Sequence, residues 1–172
     1  ELLREPEVQG KGEILRLLQA IGQGSSYLDA HQSLEFYRTE KKTDSFRERL
    51  AEELRWVRRA AEAVADGAEV YFELMERGSL GEAIHAAQLL GECTPRVDLV
   101  EPRLRERIGR PAHSLLRASA LWAWLSLRRK ARVAGGEEET RLLKSLAKFD
   151  RGPVRLLAAL ALLGDRPDRR DP

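Results

Sequence analysis

The chain has 172 residues, of which 42% are hydrophobic and 34% are charged, and its formal net charge is +2. This length suits one well-buried domain, and the apolar content excludes disorder over most of the chain. The single cysteine, Cys93, excludes an internal disulfide and favours a reducing compartment.

The first 44 residues predict helices that cap the N-terminal end of the fold. The first helix ends at Gly22-Gln23-Gly24, and Ser25-Ser26 offers an N-cap for the second. The apolar face of the first helix comprises Ile14, Leu17, Leu18 and Ile21, and that of the second comprises Tyr27, Ala30, Leu34 and Tyr37.

The clearest helical pattern begins after residue 44. Ser45 and Glu48 have the spacing of a capping box, in which each side chain bonds the other residue's backbone amide. The apolar positions then recur every three or four residues until Gly67 ends the helix, at Phe46, Leu50, Leu54, Val57, Ala61 and Val64.

Shorter helices follow over residues 69–77 and 80–92. Pro102 predicts that the next helix begins or bends there, because proline lacks an amide proton. Residues 112–127 are apolar nearly all round, which predicts a central helix covered on both sides. The final helix is predicted to begin at Pro153.

A short apolar pattern recurs four times, at residues 57–64, 83–90, 116–123 and 154–161. In each copy a small residue follows the first apolar residue by four positions, one turn along the same helix face. These small residues are Ala61, Ala87, Ala120 and Ala158. The copies start 26, 33 and 38 residues apart, which suits a pair of short helices per repeat.

The chain resembles the bacterial HEAT-type repeats over about its last two thirds. The residues that carry the resemblance are Pro153-Val154-Arg155, Ala158 and Leu162, and in the preceding copy Arg117, Ala120 and Ala123. Ile84 departs from the motif, because the family has arginine there. The resemblance implies an all-α, right-handed α-solenoid of antiparallel helix pairs, with about nine helices.

In this interpretation the chain is a single helical-repeat domain. Residues 1–44 form the N-terminal capping helices, residues 45–165 form the HEAT-like repeats, and residues 166–172 form a polar tail.

The second helix of each repeat is predicted to line an inner, concave surface that contacts a ligand. The candidate binding residues are Arg59, Glu62, His85, Gln88, Trp122, Arg128 and Arg129. We find no set of residues that combines a nucleophile, a base and oxyanion support. The sequence therefore predicts a non-catalytic protein-protein interaction scaffold without a cofactor.

Three motifs are compatible with chemistry but favour a structural interpretation. Glu82 and His85 share a helix face, but a carboxylate-bridged metal site needs a second such pair, which the sequence lacks. Gly22-Gln23-Gly24 resembles a phosphate-binding loop without its lysine. Cys93 has no cationic neighbour in sequence, which is typical of a structural thiol.

Two other functions stay open. The basic stretch 128–132 and Trp122 or Trp124 are compatible with nucleic-acid binding, by analogy with HEAT-like DNA glycosylases. A neutralising or immunity protein is the other alternative, because the charge is uneven. Residues 1–95 carry 12 basic and 18 acidic side chains, a net charge of −6, and residues 96–172 carry 18 and 10, a net charge of +8.

The last helix carries leucines on more than one side, whereas a terminal repeat normally has a polar outer face. We therefore expect another surface to cover the last helix. The alternatives are a missing repeat, a second copy of the chain and a partner helix. The longest apolar run, residues 115–127, is too short to span a membrane, and the first residues do not have the pattern of a signal peptide. A cytoplasmic location without membrane contact is the prediction.

Overall fold

The computed structural model describes residues 2–5, 7–31 and 43–164, which form nine α-helices and one short 3-10 helix. The helices are α1 (Lys11–Gly22), α2 (Tyr27–His31), α3 (Asp44–Ala65), α4 (Ala68–Arg77), α5 (Leu80–Leu90), α6 (Val97–Gly109), α7 (Ser114–Lys130), α8 (Glu137–Phe149) and α9 (Gly152–Gly164), and the 3-10 helix is Thr94–Arg96. These residues contain no β-strand, so the predicted all-α fold class is confirmed for them. The predicted positions Leu34 and Tyr37 and the polar tail 166–172 lie outside the described residues.

Short connections fold the chain into three pairs of packed helices. α4 packs on α5, α6 packs on α7, and α8 packs on α9. Ser79 begins α5 with a capping box, in which its amide donates to the Glu82 carboxylate at 2.8 Å and its hydroxyl accepts from the Glu82 amide. The turn between α4 and α5 is therefore closed by ordinary helix-end chemistry.

The second helices of these pairs lie in one row, with α1 at its front. α1 packs on α5, α5 packs on α7, and α7 packs on α9. Gly91, just after α5, allows the backbones to approach closely, because a Cβ there would lie only 3.0 Å from the Cα of Ala123 in α7.

α7 is the central helix, as the sequence predicted. Eight of its residues are buried, and Leu121, Trp124 and Leu127 are among the largest side chains removed from solvent. α7 contacts α5, α6 and α9. An apolar surface nearly all round a helix is stable in water only when neighbours cover it in this way.

Three of the four copies of the repeat pattern occupy this row. Their small residues Ala87, Ala120 and Ala158 are fully buried on α5, α7 and α9. Ala61 is only half-buried on α3. The helix that packs on α5 at the front of the row is α1, which was predicted to belong to the capping region. The first copy of the repeat pattern, within α3, does not take this position.

The predicted start of α3 is wrong. The N-cap is Thr43, whose Oγ1 accepts a hydrogen bond from the backbone amide of Phe46 at 3.2 Å. Because the helix already begins at Asp44, Ser45 lies inside it and cannot form the predicted capping box with Glu48.

The predicted apolar face of α1 also needs correction, and one of the two alternatives for Pro102 is excluded. In α1 Leu15 is fully buried whereas Leu17 is 62% exposed, because the face with Gly12 and Gly22 is the one that meets α5. Pro102 does not begin α6, which starts at Val97. Pro102 has no amide proton to donate to the carbonyl of Asp98, four residues earlier. Asp98 is exposed to solvent.

Candidate binding groove between α7 and α9

A groove of about 500 Å³ runs between α7 and α9. Ligand pockets in proteins commonly have volumes of roughly 300–1,000 Å³. The lining of this α7–α9 groove comprises Trp122, Leu125, Ser126, Arg128 and Arg129 from α7, Val133 and Gly135 from the following connection, Glu139 from α8, and Leu157, Leu160, Ala161 and Gly164 from α9. Three of the seven predicted binding residues, Trp122, Arg128 and Arg129, therefore come together here.

The starts of α7 and α9 are held side by side by Arg117. Its Nη1 and Nη2 donate to the two carboxylate oxygens of Asp150 at 2.7 and 2.8 Å, and its Nε donates to the carbonyl of Ile108 at 3.0 Å. Asp150 lies two residues before α9, so α7 and α9 run in the same direction along the groove. Trp122 and Leu157 lie near the middles of the two helices, and Arg129 and Gly164 lie toward their ends.

The charge of Arg128 is balanced within the fold. Its Nη1 donates to Glu101 and its Nη2 donates to Glu139, each at 2.9 Å. Glu101 also accepts a hydrogen bond from the indole N–H of Trp124 at 2.7 Å. Arg128 therefore joins α6, α7 and α8 and is not a free cation for a ligand.

Arg129 differs from its neighbour because it is exposed and has no salt-bridge partner among the described residues. Lys130, by contrast, pairs with the buried carboxylate of Glu92 at the end of α5. Within the described residues, the α7–α9 groove thus combines a mainly apolar lining with one unpaired guanidinium, that of Arg129. Trp122, on the same helix, is 37% exposed and presents part of its ring to solvent.

The apolar character of the groove continues onto the outer face of α9. Leu156, Leu160 and Leu163 lie on that face with exposures of 61%, 54% and 57%. They follow the spacing of four and three residues that places side chains on one helix face. The apolar outer face predicted for the last helix is present, and what covers it stays a prediction.

The other predicted binding residues do not line the α7–α9 groove. Arg59 and Glu62 are exposed on α3, where the Arg59 guanidinium lies 5.7 Å from the ring of Trp56. His85 and Gln88 are half-buried on α5, and a Cβ on Gly12 of α1 would lie 3.5 Å from the His85 ring. His85 therefore faces α1.

The groups with potential chemistry have structural roles. Burial, helped by the negative charge of Glu92, raises the pKa of the Cys93 thiol to about 12, so the thiol stays protonated. Glu82 is engaged in the cap of α5, where its hydrogen bonds with Ser79 lower its pKa. Within the described ranges, no cluster of three or more His, Cys, Asp or Glu residues is placed to hold a metal ion.

No helix in the described part of the chain has the length and apolar character needed to cross a bilayer.

The α9 side of the groove and Val133, in the connection before α8, were not predicted from the sequence. The excess of leucines in residues 156–163 marked α9 as unusual, but their spacing could not show which of them meet α7. No sequence pattern indicated that Val133 lines a groove, because its position depends on the turn at Arg132. The backbone of Arg132 is in the left-handed region, with φ of 54°.

Comparison with protein-family models, with curated proteins and with solved structures finds no significant match to this chain.

Proposed function

We propose that this chain is a non-catalytic protein-binding module whose α7–α9 groove receives a segment of a partner protein. The observation that carries the proposal is the groove of about 500 Å³ with an apolar lining that stays open to solvent. Trp122 and Leu160, one from each wall, are both substantially exposed. Contiguous exposed apolar surface of this kind is typical of interaction sites.

The packing of the helices supports a repeat architecture for this module. α5, α7 and α9 follow one another in a single row, and each packs on the helix that precedes it in its pair. A right-handed solenoid of the HEAT type accounts for this order, with the second helices on the inner surface. Trp122 and Arg129 belong to that surface in the proposed architecture.

The charges around the groove favour a protein ligand over a nucleic acid. Arg128 is balanced by two glutamates and Lys130 by Glu92, which leaves Arg129 as the unpaired cation of the lining within the described residues. Nucleic-acid binding generally uses many phosphate contacts. One guanidinium beside an apolar wall suits a peptide with a mixed apolar and polar surface.

A peptide-selection experiment tests the proposal directly. Random 16-residue peptides displayed on phage would be selected against the full chain, and the contact site of the strongest binders would be mapped by NMR. We expect shifted resonances from Trp122, Leu157 and Leu160. Leu160→Asp should weaken binding at least about tenfold, because it places a charge in the apolar wall.

The matched control is Leu80→Asp on α5, since Leu80 is also an exposed leucine but lies outside the groove. Circular dichroism would verify that both variants fold. Peptides that bind wild type and Leu160→Asp equally well would show that the groove is not the binding site.

A further inference from the structure

The shape and charge of the α7–α9 groove identify the kind of segment that fits it, on the premise of the proposed function. We infer that the partner segment is an amphipathic α-helix of about two turns that places a carboxylate against Arg129 and apolar side chains against Trp122 and Leu160.

The length of the groove matches two helical turns. Its α7 wall extends from Trp122 to Arg129, and its α9 wall extends from Leu157 to Gly164. Each wall spans seven residue steps, or roughly 10 Å at 1.5 Å per residue. A helix lying between two parallel walls of this length presents side chains at positions i, i+3, i+4 and i+7 to them.

The backbone chemistry favours a helix over an extended segment. Both long walls of the groove are helices whose backbone amides and carbonyls bond one another, and the described residues include no sheet edge. An extended peptide would therefore find few backbone partners in the groove and would leave polar groups unpaired on an apolar surface. A bound helix instead pairs the amides and carbonyls between its terminal turns with one another, so these groups need no partner from the groove walls.

The position of Arg129 determines which end of the groove receives the carboxylate of the partner. The groove is apolar toward Trp122 and Leu157, whereas its far end has Arg129. Arg129 has no carboxylate within salt-bridge distance among the described residues. A carboxylate about two turns from the first apolar anchor would pair with this guanidinium, and partial burial in the groove would strengthen the pair relative to an exposed one.

A designed peptide library tests the inference. The probe is a set of 16-residue helical peptides on an alanine and glutamine background, with positions i, i+3, i+4, i+7 and i+8 varied. Selection against the full chain should enrich large apolar residues at the first three positions and Asp or Glu at i+7 or i+8. The bound peptides should gain helical circular dichroism, and a proline in the middle of the helix should remove binding.

Substitutions at Arg129 give the decisive readout. Arg129→Glu should weaken the binding of the acidic peptides at least about tenfold. A new selection against this variant should enrich Lys or Arg at i+7 or i+8. Arg129→Lys should retain the preference for Asp or Glu at i+7 or i+8. Arg155→Glu is the matched control, because Arg155 is an exposed arginine of α9 outside the groove lining, and it should leave the preference unchanged.

The outcomes separate this inference from the proposed function. Peptides that bind in the groove with no preference for acid, or that bind in extended form, would overturn the inference and leave the proposed function standing. Binding that Leu160→Asp does not weaken would overturn both, and so would the failure of any library to yield a binder.

Discussion

At the scale of single residues, Tyr71 shows how a buried polar group is accommodated in this small core. Its hydroxyl donates to the carbonyl of Val64 at 2.9 Å, and the Val64 carbonyl also accepts from the amide of Gly67. Tyr71→Phe removes one of these two bonds without leaving the carbonyl unpaired. We expect it to lower the free energy of unfolding by about 1 kcal/mol, as measured by urea denaturation.

The same residue gives a prediction for alkaline pH. Burial, with a smaller contribution from Cys93, raises the pKa of Tyr71 from 10.0 to about 12. Above pH 10 the unfolded chain releases this proton while the folded protein keeps it, so the free energy of unfolding falls between about pH 10 and about pH 12. Cys93, whose pKa rises from 9.0 to about 12, adds a further loss between about pH 9 and about pH 12.

Tyr71→Phe should therefore lose less stability than wild type when pH rises. Urea denaturation of both proteins at about pH 9 and about pH 11 measures the difference. Equal losses in the two proteins would show that the Tyr71 hydroxyl is not protected by the fold.

The pair between Arg117 and Asp150 is a second prediction at this scale. Both side chains are about one fifth exposed, at 18% and 20%, and the guanidinium contacts both carboxylate oxygens. Asp150→Asn keeps the shape but removes the charge, so we expect a loss of about 1–3 kcal/mol in chemical denaturation. Glu106→Gln is the control, because its pair with Arg110 is exposed and should contribute at most about 0.5 kcal/mol. Similar losses in the two variants would contradict this ranking.

At the scale of elements, the contact between α5 and α7 depends on a glycine. A Cβ on Gly91 would lie 3.0 Å from the Cα and 3.1 Å from the carbonyl oxygen of Ala123. Backbone atoms cannot rotate away as a side chain can, so Gly91→Ala should separate the two helices and cost about 1–3 kcal/mol in thermal or urea unfolding. Gly81→Ala, within α5 and with nothing within 4 Å, should be neutral or stabilising by up to about 1 kcal/mol. A neutral Gly91→Ala would show that the helices are less closely packed than described.

At the scale of the whole molecule, the helices and the central position of α7 were predictable from sequence because they follow from local periodicity. The position of Leu15 was not, because the buried face of α1 depends on how closely Gly12 and Gly22 approach other helices. The α7–α9 groove was only half predictable. Trp122 and Arg129 belong to one recognisable helix, but Leu160 reaches them through the tertiary packing of α9 on α7, to which the pair between Arg117 and Asp150 contributes.

The distribution of buried contacts also predicts how stability varies along the chain. α7 has eight buried residues and neighbours in α5, α6 and α9, whereas α3 has only Phe46, Val64 and Ala65 buried, near its two ends. Opening the middle of α3 therefore exposes little apolar surface, while opening α7 disrupts most of the core. Hydrogen exchange measured by mass spectrometry should find the amides of residues 120–127 protected close to the limit of global unfolding, and those of residues 51–59 exchanging at least about tenfold faster. Equal protection in the two segments would mean that α3 is covered by contacts beyond those of the described residues.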